Sequence, residues 1–354
     1  MIKAMGYGTK HSFSSLVPLT FAREEGGEND IYIEILYCGV CHSDIHQAEN
    51  DWGNTLYPCM PGHEIVGRVR ATGAQVTRFK IGDMVGVGCM IGSCGKCDQC
   101  RSDLEQYCQG PKGATMTYNG PMKPDGTNTW GGYSNSIVVP QKFVLKIPRN
   151  LDLKAVAPLL CAGVTTYSPL RHWNVQAGQN VGIVGLGGLG HMATKLATAM
   201  GAHVTVFSRS AEKMEDAFRF GARAFTLSKD TAAMEQLELA FDFILSTIPD
   251  PHDINPYIKL LKRDGTLAVV GTLAPFTKAT DNSEVAFHRR SVAGSLIGGI
   301  KETQEVLDFC GQHDLTADVE LIDVRDINNA FKKIKNGDAR YRYVIDIANS
   351  FKAA

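Results

Sequence analysis

Val181-Gly182-Ile183-Val184-Gly185-Leu186-Gly187-Gly188-Leu189-Gly190 is the stretch that decides the fold. A short apolar run reads as a buried strand, and here it passes directly into G-x-G-x-x-G and then into the helical stretch His191 to Met200. Gly185 allows the tight turn, Gly187 lets a pyrophosphate approach the backbone, and Gly190 lets the helix pack on the strand. Leu186, Gly188 and Leu189 fill the turn, and the helix N-terminus faces the phosphates. A bare G-x-G-x-x-G is weak evidence. The strand before it and the helix after it supply the context that an ordinary Gly-rich turn lacks.

The next strand, Val204 to Phe207, runs into Ser208-Arg209-Ser210, with Lys213 beyond. A site for NAD places an acid there, roughly 20 residues on, to grip the ribose 2′-OH. This chain has no carboxylate at that place. Two hydroxyls and two cations suit a 2′-phosphate instead, so NADP(H) is the expected cofactor.

Outward from this unit the chain alternates. Val156 to Pro169 reads as an apolar helix, Glu212 to Phe220 as a helix, Phe241 to Ser246 as a strand, Tyr257 to Leu261 as a helix and Thr266 to Gly271 as a strand. Such alternation indicates α/β architecture with a parallel, doubly wound sheet. Helical stretches at Thr303 to Gln312 and Ile327 to Asn336 and a strand at Tyr341 to Ile347 follow. The first ~150 residues read differently. Ile31 to Tyr37, Gly62 to Arg70, Asp83 to Gly88 and Tyr133 to Pro140 are short strands separated by Gly/Pro breaks, an irregular and mostly β domain.

With 36 basic and 37 acidic residues the formal net charge is -1, and no charge run stands out. Nucleic acid and anionic membrane surfaces are therefore unexpected partners. No apolar stretch reaches the ~20 residues a membrane span needs, and the first residues lack the apolar core of a secretory signal. The expectation is a cytoplasmic enzyme.

Ten cysteines are many for a chain in a reducing compartment, where clustered cysteines more often bind metal than form disulfides. Cys94, Cys97, Cys100 and Cys108 follow C-x2-C-x2-C-x7-C. Four thiolates this close form the closed sulfur cage of structural zinc. An iron–sulfur cluster competes, but there is one such run only and no proline follows its last cysteine. A second set is dispersed: Cys41-His42-Ser43-Asp44-Ile45-His46, Gly62-His63-Glu64, and Cys161. Two Cys and one His can hold a catalytic zinc with one position open. Spacing alone does not reveal that site, because a lone His63 or Cys161 is more often a packed core residue.

Taken together these residues resemble the zinc-containing medium-chain dehydrogenases, over essentially the whole chain. The carriers are Tyr37 to Asp44, Pro61-Gly62-His63-Glu64-Ile65-Val66-Gly67, the four-cysteine lobe, Pro158-Leu159-Leu160-Cys161-Ala162-Gly163-Val164-Thr165 and Gly185 to Gly190, in the family's order. The wording is most similar to the cinnamyl alcohol dehydrogenases and bacterial aldehyde reductases. The resemblance implies a mostly β, GroES-like catalytic domain of residues 1–151 and 297–354 and a Rossmann cofactor domain of residues 152–296. It implies two zincs per chain, the catalytic one on Cys41, His63 and Cys161. Glu64 matches an acid that can approach that metal, and Asp44 the acid that orients the ligand histidine. Ser43 stands where a hydroxyl bridges the substrate oxygen to a proton relay and contacts cofactor, and His46 where the relay meets solvent. Thr165 is expected by the nicotinamide, and Thr247, Gly271, Ser295, Leu296 and Ile297 at later cofactor contacts. His42 departs from the pattern, since some relatives carry an arginine there. A homodimer is expected by analogy.

Two other readings stay open at this stage. One is a polyol (sorbitol-type) dehydrogenase of the same superfamily. The other is a zinc-free quinone reductase or binding protein on the same fold, which intact Cys41, His63 and Cys161 argue against. A zinc-ribbon nucleic-acid module fails for want of basic surface. Trp52, Tyr57, Met60, Cys89 and Met116 are candidates for the substrate pocket.

Overall fold

The computed structural model describes residues 1–122 and 128–351. It divides into two compact units, Met1–Cys161 with Gly298–Ala354, and Ala162–Ile297. The first unit runs to Cys161, beyond the Leu151 expected from sequence. The reason is packing: the short helical turns Leu153–Val156 and Ala157–Leu160 lie against strands of the first unit, and Val156, Ala157, Leu159 and Leu160 are wholly buried.

The second unit is built on a six-stranded, all-parallel sheet. Its order is Ala224–Leu227, His203–Ser208, Asn180–Val184, Phe241–Ser246, Leu261–Val269, Ser291–Gly294. Val181, Ile183, Val204, Val206, Ile244, Leu245 and Leu267 are all buried. A parallel sheet covered on both faces needs such continuous apolar strands. Chain order reverses between Asn180–Val184 and Phe241–Ser246, the switch point outside which α/β sheets bind ligands.

The glycine turn sits at that switch point. Gly185 has φ +90°, a left-handed conformation. A Cβ on Gly190 would lie 2.0 Å from the Gly185 carbonyl oxygen, so helix Gly190–Ala199 meets the strand only because Gly190 has no side chain. A Cβ on Gly187, by contrast, would have nothing within 4 Å. Protein packing does not require glycine at 187.

Sequence periodicity passed over the two edge strands, Ala224–Leu227 and Ser291–Gly294. Both are only half-buried and carry little apolar signal. It also ran a helix to Leu261. The helix covers Asn255–Ile258, and Leu261 opens the long strand instead.

The first unit holds a seven-stranded sheet in the order Val319–Ile322, Arg342–Asp346, Asp30–Gly39, Ile65–Thr72, Met84–Val87, Leu145–Lys146, with Ser136–Pro140 also pairing with Asp30–Gly39. Strand Asp30–Gly39 is the axis, burying Ile31, Ile33 and Ile35 on one face by strict alternation. It delivers Gly39, Val40 and Cys41 at its end. Strand Arg342–Asp346 pairs with it antiparallel, Val344 opposite Gly39, and so brings the far end of the chain to the same place.

Gly190→Ala should lower Tm by several degrees, because overpacking costs ~1–3 kcal/mol and each kcal/mol is worth about 2–4 °C in a domain of this size. Gly187→Ala should leave Tm unchanged. Thermal melts of the two variants check the contrast, and equal melting points would contradict it.

Candidate active site

Helix His42–Glu49 begins the site. Cys41 is its N-cap in extended conformation, and Asp44 at the third helical position completes a capping box. Asn50, in the left-handed region, ends it. The cap therefore fixes Cys41 at the junction of strand and helix.

Asp44 does more than cap. It is completely buried. Its Oδ2 accepts the Cys41 N–H at 2.9 Å and the Tyr133 hydroxyl at 2.9 Å. Its Oδ1 accepts the Gly62 N–H at 3.1 Å and lies 3.0 Å from His63 Nδ1. With Nδ1 donating to this carboxylate, Nε2 is the ring nitrogen left to ligate.

Glu64 follows His63 and is also completely buried. Arg342 Nη2 donates to Glu64 Oε1 and, at 3.0 Å, to the Val40 carbonyl. Glu64 Oε2 has no hydrogen-bond partner among the described residues. Gly39 makes room for it: a Cβ there would lie 1.9 Å from Oε2. Cys161 occupies a break where the sequence reads as one apolar helix. The 3-10 turn Ala157–Leu160 ends at it and helix Ala162–His172 starts after it.

One ligand atom each from Cys41, His63, Glu64 and Cys161 lie within 4.8 Å of one another, and all four residues are buried. The proton balance of this cluster reflects crowding. The Cys161 thiol, by donating to it, holds Cys41 well below the usual thiol range against the effect of burial. Cys161 is pushed up as the partner that keeps its proton. Burial pulls His63 down most strongly of any one cause, but the Asp44 carboxylate together with Cys89 and Cys41 holds the ring well above its ordinary value. Burial raises Glu64 to about 7 despite Arg342. Two thiols, an imidazole and a carboxylate oxygen lacking a donor fit a divalent cation, whose binding displaces such shared protons. Soft sulfur and imidazole ligands select zinc over magnesium or calcium.

The second cluster, Cys94, Cys97, Cys100 and Cys108, also has its sulfurs within 4.8 Å of one another. Cys94 and Cys100 Sγ are 3.9 Å apart, close to the edge of about 3.8 Å for a tetrahedron with Zn–S ~2.3 Å. Backbone N–H groups of Cys97, Cys94 and Gly110 point at sulfurs at 3.4 Å. The backbone N–H groups of Lys96 and Cys97 hold Cys94 down at about 6, while burial lifts Cys100 to about 11. All ten cysteines are free.

Ser43 and His46 lie three residues apart on helix His42–Glu49, hence on one face. His46 Nδ1 is 2.7 Å from Asp51 Oδ2. In the second unit Thr165 is buried on helix Ala162–His172, and its hydroxyl has no hydrogen-bond partner among the described residues. Thr247 Oγ1 donates to the Val184 carbonyl at 2.9 Å, pinning the end of strand Phe241–Ser246 to the glycine turn. A Cβ on Gly271 would strike the Ile248 carbonyl oxygen at 2.2 Å. Ser295, Leu296 and Ile297 follow the last strand, Ile297 with φ +40°.

At the end of strand His203–Ser208 the side chains divide. Ser208 is buried and its Oγ accepts the Ser210 N–H at 3.2 Å, closing the loop. Arg209 is exposed. Lys213 Nζ donates to the Leu186 carbonyl at 3.0 Å, so its charge lies at the glycine turn. Among the pocket candidates Met60 is wholly buried, its sulfur under Gly6, and is core. Cys89 is buried and bears electrostatically on His63, Tyr57 Oη donates to the Ala48 carbonyl, and Trp52 and Met116 are exposed.

Arg342, Gly39, Tyr133 and Asp51 had escaped the reading of the sequence. Arg342 lies 302 residues from Val40 and 278 from Glu64 and sits in an apolar strand with no local signal. Tyr133 looks like any strand aromatic. Asp51, five residues after His46, was the one within reach of spacing.

Residues 27–149 match the alcohol dehydrogenase GroES-like domain family, and residues 188–312 the zinc-binding dehydrogenase family. Aldehyde reductase YahK of Escherichia coli (strain K12) is 50% identical over 347 residues, covering 98% of each chain. NADP-dependent alcohol dehydrogenase C 1 of Mycolicibacterium smegmatis is 47% identical over 349 residues, covering 99% of each. The crystal structure of CAD from Helicobacter pylori complexed with NADP(H) superposes with a TM-score of 0.91 at 43% identity, covering 99% of each chain.

Gly39→Ala should drive the Glu64 carboxylate out of its place and strip the buried cluster of its metal while sparing the four-cysteine lobe. Elemental analysis should then fall from about two zincs per chain to about one. Retention of both would contradict the packing argument.

Proposed function

The chain belongs to the zinc-binding medium-chain alcohol dehydrogenases, and we propose that it is an NADPH-linked aldehyde reductase of broad aliphatic and aromatic range, acting reversibly on primary alcohols. The observation that carries this reading is the buried set Cys41, His63 and Cys161. These three ligands leave a tetrahedral metal a fourth position, which Glu64 Oε2 can approach and give up to water or substrate, the mark of a catalytic site. That set also separates the chain from zinc-free reductases on the same fold. The end of strand His203–Ser208, with exposed Arg209 and no acid, favours NADPH over NADH.

Zinc held there supplies Lewis-acid polarisation of the carbonyl oxygen, and NADPH held at Gly185 to Gly190 supplies the hydride. The chain's own residues do the rest. Asp44 fixes the ring of His63 and the backbone of Cys41. Arg342 holds Oε1 of Glu64 and leaves Oε2 turned to the metal position. Ser43 Oγ donates a proton towards the product oxygen and is reprimed through His46, whose Nδ1 Asp51 engages. Thr165, whose hydroxyl has no hydrogen-bond partner among the described residues, offers it to the nicotinamide. Gly187 gives the pyrophosphate room, Lys213 adds charge at the turn through its hold on Leu186, and Arg209 with Ser208 and Ser210 receives the 2′-phosphate. Thr247, Gly271, Ser295, Leu296 and Ile297 line the rest of the cofactor path. The four-cysteine zinc staples its lobe.

A homodimer fits the exposed edge of the parallel sheet. Strand Ser291–Gly294 ends the sheet with one side unpaired, a template for another copy. Leu273 and Phe287, in the segments flanking the last two strands, are 68% and 86% exposed. No helix among the described residues is long and apolar enough to cross a membrane, and we place the enzyme in the cytoplasm, where thiols stay reduced. Sedimentation equilibrium should give twice the chain mass for the wild type and a monomer for Phe287→Glu. A monomeric wild type would overturn the dimer.

Cofactor choice is tested by kinetics with an aldehyde and either cofactor. Loss of a charge-assisted hydrogen bond worth ~1.5–3 kcal/mol should raise the NADPH KM of Arg209→Ala roughly ten- to a hundredfold, with NADH little changed. Ser208→Asp can still accept the Ser210 N–H, but its charge should repel the 2′-phosphate and shift preference towards NADH. A wild type that prefers NADH would refute the assignment.

A further inference from the structure

Asp44 is the hub of the buried metal cluster, and three of its four donors come from the metal loops themselves: Cys41 N–H, Gly62 N–H and His63 Nδ1. The fourth, the Tyr133 hydroxyl, comes from a different part of the chain. We propose that Tyr133 is a positioning residue for the catalytic metal, acting through Asp44 on His63 and Cys41. The inference rests on the metal reading above.

Tyr133 is completely buried, and the segment that carries it is fastened on both sides. Gly131 N–H donates to the Met60 carbonyl at 2.9 Å, Gly132 N–H to Gly62 at 2.8 Å and Tyr133 N–H to Pro61 at 3.1 Å. Side chains are excluded from this seam: a Cβ on Gly131 would lie 2.2 Å from the Pro61 carbonyl oxygen, and one on Gly132 2.4 Å from Ile65. From behind, the buried guanidinium of Arg23 donates to the carbonyls of Trp130 and Gly131 at 3.1 and 3.2 Å and to Ser134 Oγ at 2.9 Å. Trp130-Gly131-Gly132-Tyr133-Ser134 is thus a rigid strip laid along the loop that carries His63, and its phenol ends on Asp44. Packing alone would be met by phenylalanine. The hydroxyl at 2.9 Å from a buried carboxylate oxygen is what a packing role does not need.

Without it, Asp44 Oδ2 keeps one donor, the Cys41 N–H, in a wholly buried place. The carboxylate is then free to turn, and the ring of His63 and the Cys41 backbone lose their common reference. Changes one shell out from a ligand cost 10–100-fold in metal affinity or activity. Tyr133 acts one step further out, so release of the catalytic zinc should quicken by about tenfold, at the lower end of that range.

The test compares chelator-driven zinc release from two-zinc wild type and Tyr133→Phe, following both ions with a chromophoric chelator, with thermal melts and the visible spectrum of the cobalt-substituted catalytic site alongside. The expected result is a catalytic-zinc phase about tenfold faster, a shifted cobalt spectrum, and an unchanged four-cysteine phase and Tm. Wild-type rates for both phases would overturn the proposal and leave the metal reading intact. So would a faster loss of both zincs together with a lowered Tm, which would make Tyr133 a packing residue. A wild type that holds only the four-cysteine zinc would overturn the metal reading and this inference with it.

Discussion

A carboxylate taken wholly out of water is unfavourable unless donors surround it, and Asp44 is stable where it sits because four converge on it. That one requirement ties together parts of the chain that have nothing else in common. The cap of helix His42–Glu49, the turn at Gly62, the ring of His63 and the phenol of Tyr133 must all be in place at once. If one is displaced, Asp44 keeps the others, but Cys41 and His63 lose their common reference. Cys41 and His63 are thereby held by hydrogen bonds that do not depend on the metal, the kind of support that keeps a functional site in one geometry.

The surrounding fold is arranged to supply those parts. Strand Asp30–Gly39 aims Cys41, and Gly39 stays bare so that Glu64 can stand beside it. Strand Arg342–Asp346 returns from the end of the chain to place a guanidinium against Glu64. A buried carboxylate and a buried guanidinium are tolerable only as a pair, and pairing one oxygen of Glu64 leaves the other to face a cation. The four-cysteine lobe lies apart from this chemistry. Glu105, three residues before Cys108, accepts the N–H of Ile300 at 3.2 Å and pairs with Lys142 at 3.1 Å. The lobe thereby also anchors the start of helix Ile300–Gln312.

How much of this was legible in the sequence follows from how local each feature is. The glycine turn was readable because strand, turn and helix are contiguous in the chain. The four-cysteine lobe was readable for the same reason. Cys41, His63 and Cys161 were reached only through resemblance, since residues so far apart carry no spacing signal. The break at Cys161 was read as continuous helix because its neighbours are uniformly apolar and buried. Arg342, Gly39 and Tyr133 could not be read at all. Their roles exist only once segments distant in the sequence are folded together. Edge strands went unseen because half-exposed strands dilute the apolar pattern on which such readings depend.

Asp44 holds His63 by Nδ1, which leaves Nε2 and two thiolates to take the metal. Anomalous scattering at the zinc edge from crystals of the purified enzyme tests this most directly. Two peaks per chain are expected: one among Cys94, Cys97, Cys100 and Cys108, and one bonded to Cys41 Sγ, Cys161 Sγ and His63 Nε2 with Nδ1 still on Asp44. A peak bonded through His63 Nδ1, or no second peak in fully active enzyme, would contradict it.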